Sequence, residues 1–208
     1  WRRYLFSTDH KMIGLQSGLT AMFFLLFGFA LMLLMRWQLA FPGVPIPLIG
    51  RLLSFDEGVL SAQVYNQLGA MHGTIMIFLG VVPMSVGAFG NYFLPLQIGA
   101  ADMAFPKLNM ASYWCYFAGG VIMLASFLMP GGAAASGWTS YPPLSVVSSD
   151  AQTFWILGLV FLITSSLLGS INFIVTAVQM STKGMTFMRW PVFVWSQVVT
   201  AFILLLAF

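Results

Sequence analysis

The 208 residues are 60% apolar and only 6% charged, against the roughly 25% charged residues of an ordinary soluble domain. No water-exposed surface can be built from that composition, which excludes soluble enzymes and binding modules. Eight Lys and Arg over five Asp and Glu give a formal net charge of +3, but the cations are scattered rather than clustered, so no nucleic-acid partner is expected.

Crossing a hydrocarbon core of about 30 Å takes about 20 helical residues. Apolar runs at residues 13–35, 68–96, 111–129, 154–178 and 191–208 predict five transmembrane helices in an all-α integral membrane bundle. The first run is too long for a signal-peptide core and four more follow it, so it reads as a retained span. Turn formers punctuate the connections: FPGVPIPLIG after the first run, QIGAADMAFPKLN after the second, a Gly/Ala/Ser/Pro loop at 131–149, and STKG before the fifth. The fifth run is still apolar where the sequence stops, so the chain is expected to be the front portion of a longer bundle. The single Cys115 lies inside an apolar run and reads as a small packing residue.

Orientation follows from the side on which Lys and Arg fall. With the amino terminus inside, that side receives Arg2, Arg3, Lys11, Lys107, Lys183 and Arg189, while the outside receives Arg36 and Arg51. The excess is expected to place the amino terminus in the cytoplasm or its equivalent. Asp56, Glu57 and Asp150 then fall outside and Asp102 inside.

The second run carries the most chemistry. Gly73, Gly80 and Gly87 recur every seven residues, which on a regular helix forms one stripe for close helix packing. His72 sits beside that stripe, between Gly69 and Gly73. An imidazole inside a membrane helix suits a haem iron, and small neighbours leave room for a flat macrocycle; the alternative is a packed histidine bonded to a neighbouring helix. Arg36 ends the first run on the outer side, where a guanidinium also commonly snorkels to the boundary. Asn91 follows His72 by nineteen residues, about 28 Å along a helix rising about 1.5 Å per residue, which puts it near the inner face. Asp102 follows in the inner link. With the amides of Asn91 and Asn109 it could form a polar mouth open to the inner aqueous phase, or be an ordinary loop carboxylate.

The stretch GNYFLPLQIGAADMAFPKLN after His72, with STDHKMIG, GWTSYPPL, SSLLGSINFIVT and RWPVFVWS, resembles subunit I of the haem-copper respiratory oxidases, over essentially the whole chain. The resemblance implies the first five helices of a twelve-helix bundle. It also implies a catalytic subunit that reduces oxygen to water with electrons from cytochrome c and pumps protons, in complex with subunits II and III, within the inner membrane of a bacterium. On this likeness His72 is an axial ligand of a low-spin haem, of a or b type, and Arg36 bonds a substituent of that haem. Trp138 and Tyr141 fall in the outer loop covering it. Asp102 matches the mouth of the family's D proton pathway. Asn91, Asn109 and Asn172 match asparagines along that path, with Ser112, Ser165, Ser166 and Thr176 at polar positions nearby. A hydroxyl in a membrane helix also commonly bonds its own backbone.

Several positions depart from the family pattern. Ser17 replaces a frequent Tyr and changes one wall of the proton path. Gln38 stands where some members carry a carboxylate for an outer cation, so no calcium or sodium is expected there. The connection at 40–63 is longer than in the mitochondrial type, which favours a bacterial source. Phe27 and Leu31 replace the Arg and Asp that contact quinol in related quinol oxidases, which favours cytochrome c as donor. The second haem ligand, the high-spin haem, the ligands of the copper centre, the cross-linked tyrosine and the glutamate at the top of the D pathway are expected beyond residue 208. A nitric oxide reductase shares the haem-ligating helix, but the Asp102 link is not expected in it. A transporter is the non-redox alternative, and no inverted repeat supports it.

Overall fold

The structure, a computed structural model, describes residues 2–47, 50, 57–147 and 150–207, without the side chains of Arg2 and Arg3. Arg51, Asp56 and the last residue of the fifth apolar run lie outside the described residues. All regular elements of any length in the described chain are helical. In order they are α1 (Arg2–Leu5), α2 (His10–Ala40), α3 (Ala62–Thr74), α4 (Asn91–Ile98), α5 (Pro106–Ala125), α6 (Leu144–Val147), α7 (Ala151–Gln179) and α8 (Val192–Ala207). Two wide-turn π-helical stretches, Ile75–Val81 and Pro83–Gly90, join α3 to α4.

Among the described residues four helices are long and apolar enough to cross a membrane: His10–Ala40, Ala62–Ile98, Pro106–Leu128 and Ala151–Gln179. The fifth predicted run forms the apolar helix α8, which spans 16 described residues. The helices begin before the apolar runs because their caps are polar or turn-forming residues. Asp9 accepts the Lys11 N–H at 2.9 Å, the N-cap arrangement that satisfies an orphan donor at the start of α2. Ser61 accepts the Val64 N–H at 3.3 Å at the start of α3. Pro106 opens α5 at the position where its missing N–H costs nothing.

The chain divides into two compact units that take successive stretches of the same helices. The first comprises residues 1–22, 81–120 and 159–208, the second residues 23–80 and 121–158. The first unit is built on Leu94, Ile98, Met103, Phe173, Ala177, Trp190, Val194, Val198 and Ala201. In the second, Phe24, Leu68, Met71, Ile75, Leu79, Met123 and Trp155 are buried. Both units bury polar side chains as well as apolar ones, and large apolar side chains such as Leu19, Leu26 and Leu206 face outward. A lipid-facing surface permits that inversion; water would not.

The wide turns correct one sequence expectation. Between Gly73 and Gly87 the helix closes i→i+5 rather than i→i+4 rings, so a seven-residue spacing no longer returns to one face. In the second unit a Cβ on Gly80 would lie 2.6 Å from Leu25 of α2, whereas one on Gly73 would meet only Trp138, at 3.9 Å. Gly69, not Gly73, lies against α2, with Met35 3.2 Å from its would-be Cβ. In the first unit Gly87 meets Ser17 of α2 at 3.5 Å. Gly80 and Gly87 are therefore packing positions and Gly73 is not. Pro83 opens the second wide stretch; it lacks an N–H, and local widening is one way a membrane helix re-satisfies the carbonyls a proline leaves unpaired.

Candidate functional site

In the first unit the chemistry gathers around the link between α4 and α5. That link starts at Gly99, whose left-handed φ of +73° ends α4. The Gly99 N–H reaches the Leu96 carbonyl at 3.4 Å and the Ala100 N–H the Pro95 carbonyl at 2.8 Å, a paired closure that needs a residue free to adopt positive φ. The chain then turns so that Asp102 Oδ1 accepts two backbone N–H groups, from Met103 at 2.7 Å and from His10 at 3.2 Å. Asp102 thus joins Asp9 on the amino end of α2, where orphan N–H groups and the helix dipole favour negative charge. Both described bonds fall on Oδ1 of the half-buried carboxyl.

Asn172 and Thr176, one turn apart on α7, hold this link in place. Asn172 accepts the Phe105 N–H at 2.9 Å and donates to the Phe105 carbonyl at 3.3 Å. Thr176 Oγ1 accepts the Ala104 N–H at 2.9 Å and donates to the Asn172 carbonyl at 2.6 Å. Their polar atoms are committed to the backbone of the link. Ser112 and Ser165 are likewise committed: Ser112 donates to the Asn109 carbonyl at 2.8 Å, and Ser165 on α7 donates to the Ser112 carbonyl at 2.6 Å.

Asn91 and Asn109 differ from these. Asn91 donates to the Gly87 carbonyl at 2.7 Å, yet its Oδ1 is buried with no partner, as are both side-chain polar atoms of Asn109 and the hydroxyl of Ser166. Asn109 is 1% exposed. Unpaired buried amides cost about 1–3 kcal/mol each, and in native proteins such groups are ordinarily met by ordered water.

His10 is a residue the sequence reading passed over. It is 2% exposed, and its Nδ1 lies 3.0 Å from the Asn91 carbonyl. Since a carbonyl only accepts, Nδ1 carries the proton. The available signal was its place just after Asp9, the helix cap. Ser17 is buried beside Gly87. One turn on, Thr20 and Tyr113 hydroxyls are 3.2 Å apart between α2 and α5.

In the second unit His72 is half-buried, with Nδ1 2.8 Å from the Gly28 carbonyl of α2. By the same argument Nδ1–H donates, which leaves the Nε2 lone pair for a metal, the arrangement that orients ligating histidines generally. Gly28 is small for a reason: a Cβ there would lie 2.8 Å from the Met76 sulfur. Beside His72, a Cβ built on Gly73 would meet only Trp138, at 3.9 Å. This open glycine next to an oriented imidazole fits a flat macrocycle ligated at Nε2. Trp138 is 53% exposed and tilts against Phe78 at 6.5 Å between ring centroids. Tyr141 is exposed, and none of the described contacts brings it to His72. Arg36 is exposed and no described hydrogen bond engages its guanidinium. Among the described residues no three His, Cys, Asp or Glu stand together as a metal-holding group.

A model of the family described as cytochrome c and quinol oxidase polypeptide I matches residues 12–208. The chain is 44% identical, over its full length, to cytochrome c oxidase subunit 1 of Thermostichus vulcanus, of which it covers 35%. It is 43% identical over 99% of its length to a probable cytochrome c oxidase subunit 1-alpha of Streptomyces avermitilis, covering 34%. It is 40% identical over its full length to an alternative cytochrome c oxidase subunit 1 of Bradyrhizobium diazoefficiens, again covering 34%. The chain thus spans about a third of the length of the curated relatives it matches.

Proposed function

Because this multi-pass membrane chain belongs to the cytochrome c and quinol oxidase polypeptide I family, we propose that it is part of the catalytic subunit of a terminal respiratory oxidase. Such an oxidase reduces oxygen to water with electrons from cytochrome c and pumps protons. In this reading the chain sits in the inner membrane of a bacterium with its amino terminus in the cytoplasm, alongside subunits II and III. It supplies one ligand of the low-spin haem and the inner entrance of the D proton path. The high-spin haem and the copper centre are held by residues of the remaining two-thirds of the subunit.

The observation that carries the reading is the occurrence, in the first unit, of a half-buried carboxyl and of buried amide atoms without a partner. Asp102 is held by the His10 and Met103 N–H groups on one oxygen, so the other exchanges protons with the inner aqueous phase. Asn91 Oδ1 and both polar atoms of Asn109 offer acceptors and donors to a file of waters leading inward. Asn172 and Thr176 act as positioning residues, holding the link that carries Asp102. Pumping works against a membrane potential of about 2.3 kcal/mol per charge per 100 mV, so protons must be drawn from the inner side along a guided route.

At the second unit His72 would hold the haem iron at Nε2, with Gly28 fixing the ring and Gly73 leaving space beside it. The haem supplies one-electron transfer when bound. Arg36, exposed and without a described hydrogen bond, would reach its peripheral substituent, and Trp138 and Tyr141 would lie over it. Phe27 packs edge-on against Phe127 at 5.8 Å and Leu31 is buried, so neither position offers a polar group to quinol. That supports cytochrome c as the donor.

The test is Asp102→Asn in the full-length complex reconstituted in vesicles. Oxygen uptake should fall several-fold and external acidification should disappear, with the haem spectrum unchanged. Uptake and acidification both at wild-type levels would make Asp102 a structural cap of α2 only.

A further inference from the structure

We propose that the loop between α7 and α8 is a seat for an anionic phospholipid, with the headgroup phosphate on Lys183 and Arg189 and the acyl chains against Phe187, Met188 and Val192. This proposal does not depend on the oxidase reading.

Covalent connection fixes the level of this loop. It follows the 29-residue apolar helix Ala151–Gln179 and precedes the apolar α8, so it lies where hydrocarbon meets headgroups. Its aromatics are those of an interfacial belt. Trp190 stacks edge-on between Phe187 at 4.8 Å and Trp195 at 5.4 Å. The indole N–H groups are satisfied internally, Trp190 on the Ser181 hydroxyl at 2.9 Å and Trp195 on the Phe187 carbonyl at 3.0 Å. The aromatic cluster therefore makes a rigid floor rather than a set of loose side chains.

On that floor the loop exposes two kinds of group that one ligand satisfies together. Met188 is 90% and Val192 85% exposed, beside the exposed Phe187. Lys183 and Arg189 are exposed as well, and the described contacts give neither a carboxylate partner. The acids of this unit that flank its connections, Asp9 and Asp102, are engaged by backbone N–H groups. Arg189 Nη1 donates to the Gly184 carbonyl at 3.2 Å, which holds the guanidinium over the turn with further N–H donors left for a phosphate. A protein partner seated here would have to bring carboxylates to a membrane boundary. An anionic phospholipid brings phosphate and hydrocarbon at the level where the loop presents their complements.

The experiment uses the full-length assembled complex in phosphatidylcholine vesicles carrying a trace of photo-activatable phosphatidylglycerol, with photo-activatable phosphatidylcholine as the neutral probe. Adducts are mapped by peptide mass spectrometry. Wild type should label residues 180–192 preferentially with the anionic probe. Lys183→Gln with Arg189→Gln should cut that labelling about thirtyfold, the factor equivalent to about 1 kcal/mol for each of the two cations beside an anionic surface. Lys183→Arg and Arg189→Lys should retain it, and an unchanged gel-filtration profile of the assembled complex reports folding. Equal labelling by both probes, undiminished anionic labelling in the double variant, or no adducts because a protein covers the loop would each overturn the proposal.

Discussion

The two units place their polar chemistry in opposite conditions. In the second, His72 is oriented by one short bond to Gly28 and leaves one lone pair beside an open glycine. In the first, Asp102 is tied by its backbone contacts, while Asn91 and Asn109 keep buried atoms with no partner. A site for a fixed group requires a rigid ligand and an empty place beside it. A route for a moving proton requires groups that are unfinished until water completes them. The contrast teaches that unsatisfied polar atoms are informative according to their surroundings: a lone pair beside an open glycine suggests a ligand, and unpartnered amide atoms in a core suggest water.

The sharpest way to break this comparison is His72→Ala. Under the proposed reading the reduced-minus-oxidised spectrum of the assembled complex loses its low-spin haem band altogether. A full band in the mutant would return His72 to the role of a packing residue bonded to α2.

Asn109→Leu separates water route from structural defect. Replacing an unpaired buried amide by an apolar group of similar size is neutral or stabilising by about 1–3 kcal/mol, so thermal stability should hold or rise. Turnover should nevertheless fall several-fold, as measured by oxygen uptake. Stability and turnover that move together would argue against a water route.

A smaller effect is expected from Asn172→Leu, which removes both side-chain bonds to Phe105. Hydrogen exchange at the Ala104 and Phe105 amides should quicken, with a stability loss of about 1–3 kcal/mol. Exchange at wild-type rates would show that Thr176 and the Gly99 closure suffice to hold the link. Smallest is Arg36→Met: the low-spin absorption maximum should shift while haem content stays constant. An unmoved maximum and an unmoved midpoint potential would leave Arg36 as a snorkelling cation.

Much of this was legible in the sequence because lipid simplifies the code. Apolar runs and their Gly, Pro and Asp punctuation located the helices within a few residues, and the unusual string GNYFLPLQIGAADMAFPKLN located Asp102, Asn91 and Asn109 together. Three features were not legible. The wide turns at residues 75–90 have no compositional mark apart from Pro83, and they overturned the inference that Gly73 shares a face with Gly80. His10 carried no signal of its burial, since only the folded chain brings the Asn91 carbonyl to its ring. The roles of the amides could not be told apart either, because Asn172 and Asn109 are the same residue type in similar apolar settings, and only the backbone of the link decides which is satisfied.

The wide turns also bear on how this chain tolerates change in length. An i→i+5 ring holds one residue more than the i→i+4 ring of an ordinary helix. The stretch between Ile75 and Gly90 is therefore a place where a single deletion can be absorbed by tightening one turn, leaving the register of α3 at His72 and of α4 at Asn91 intact. The same deletion inside α3 would rotate every residue beyond it by about 100°, the angular step of a 3.6-residue turn. A single deletion in this helix should accordingly be survivable in its middle and ruinous near His72.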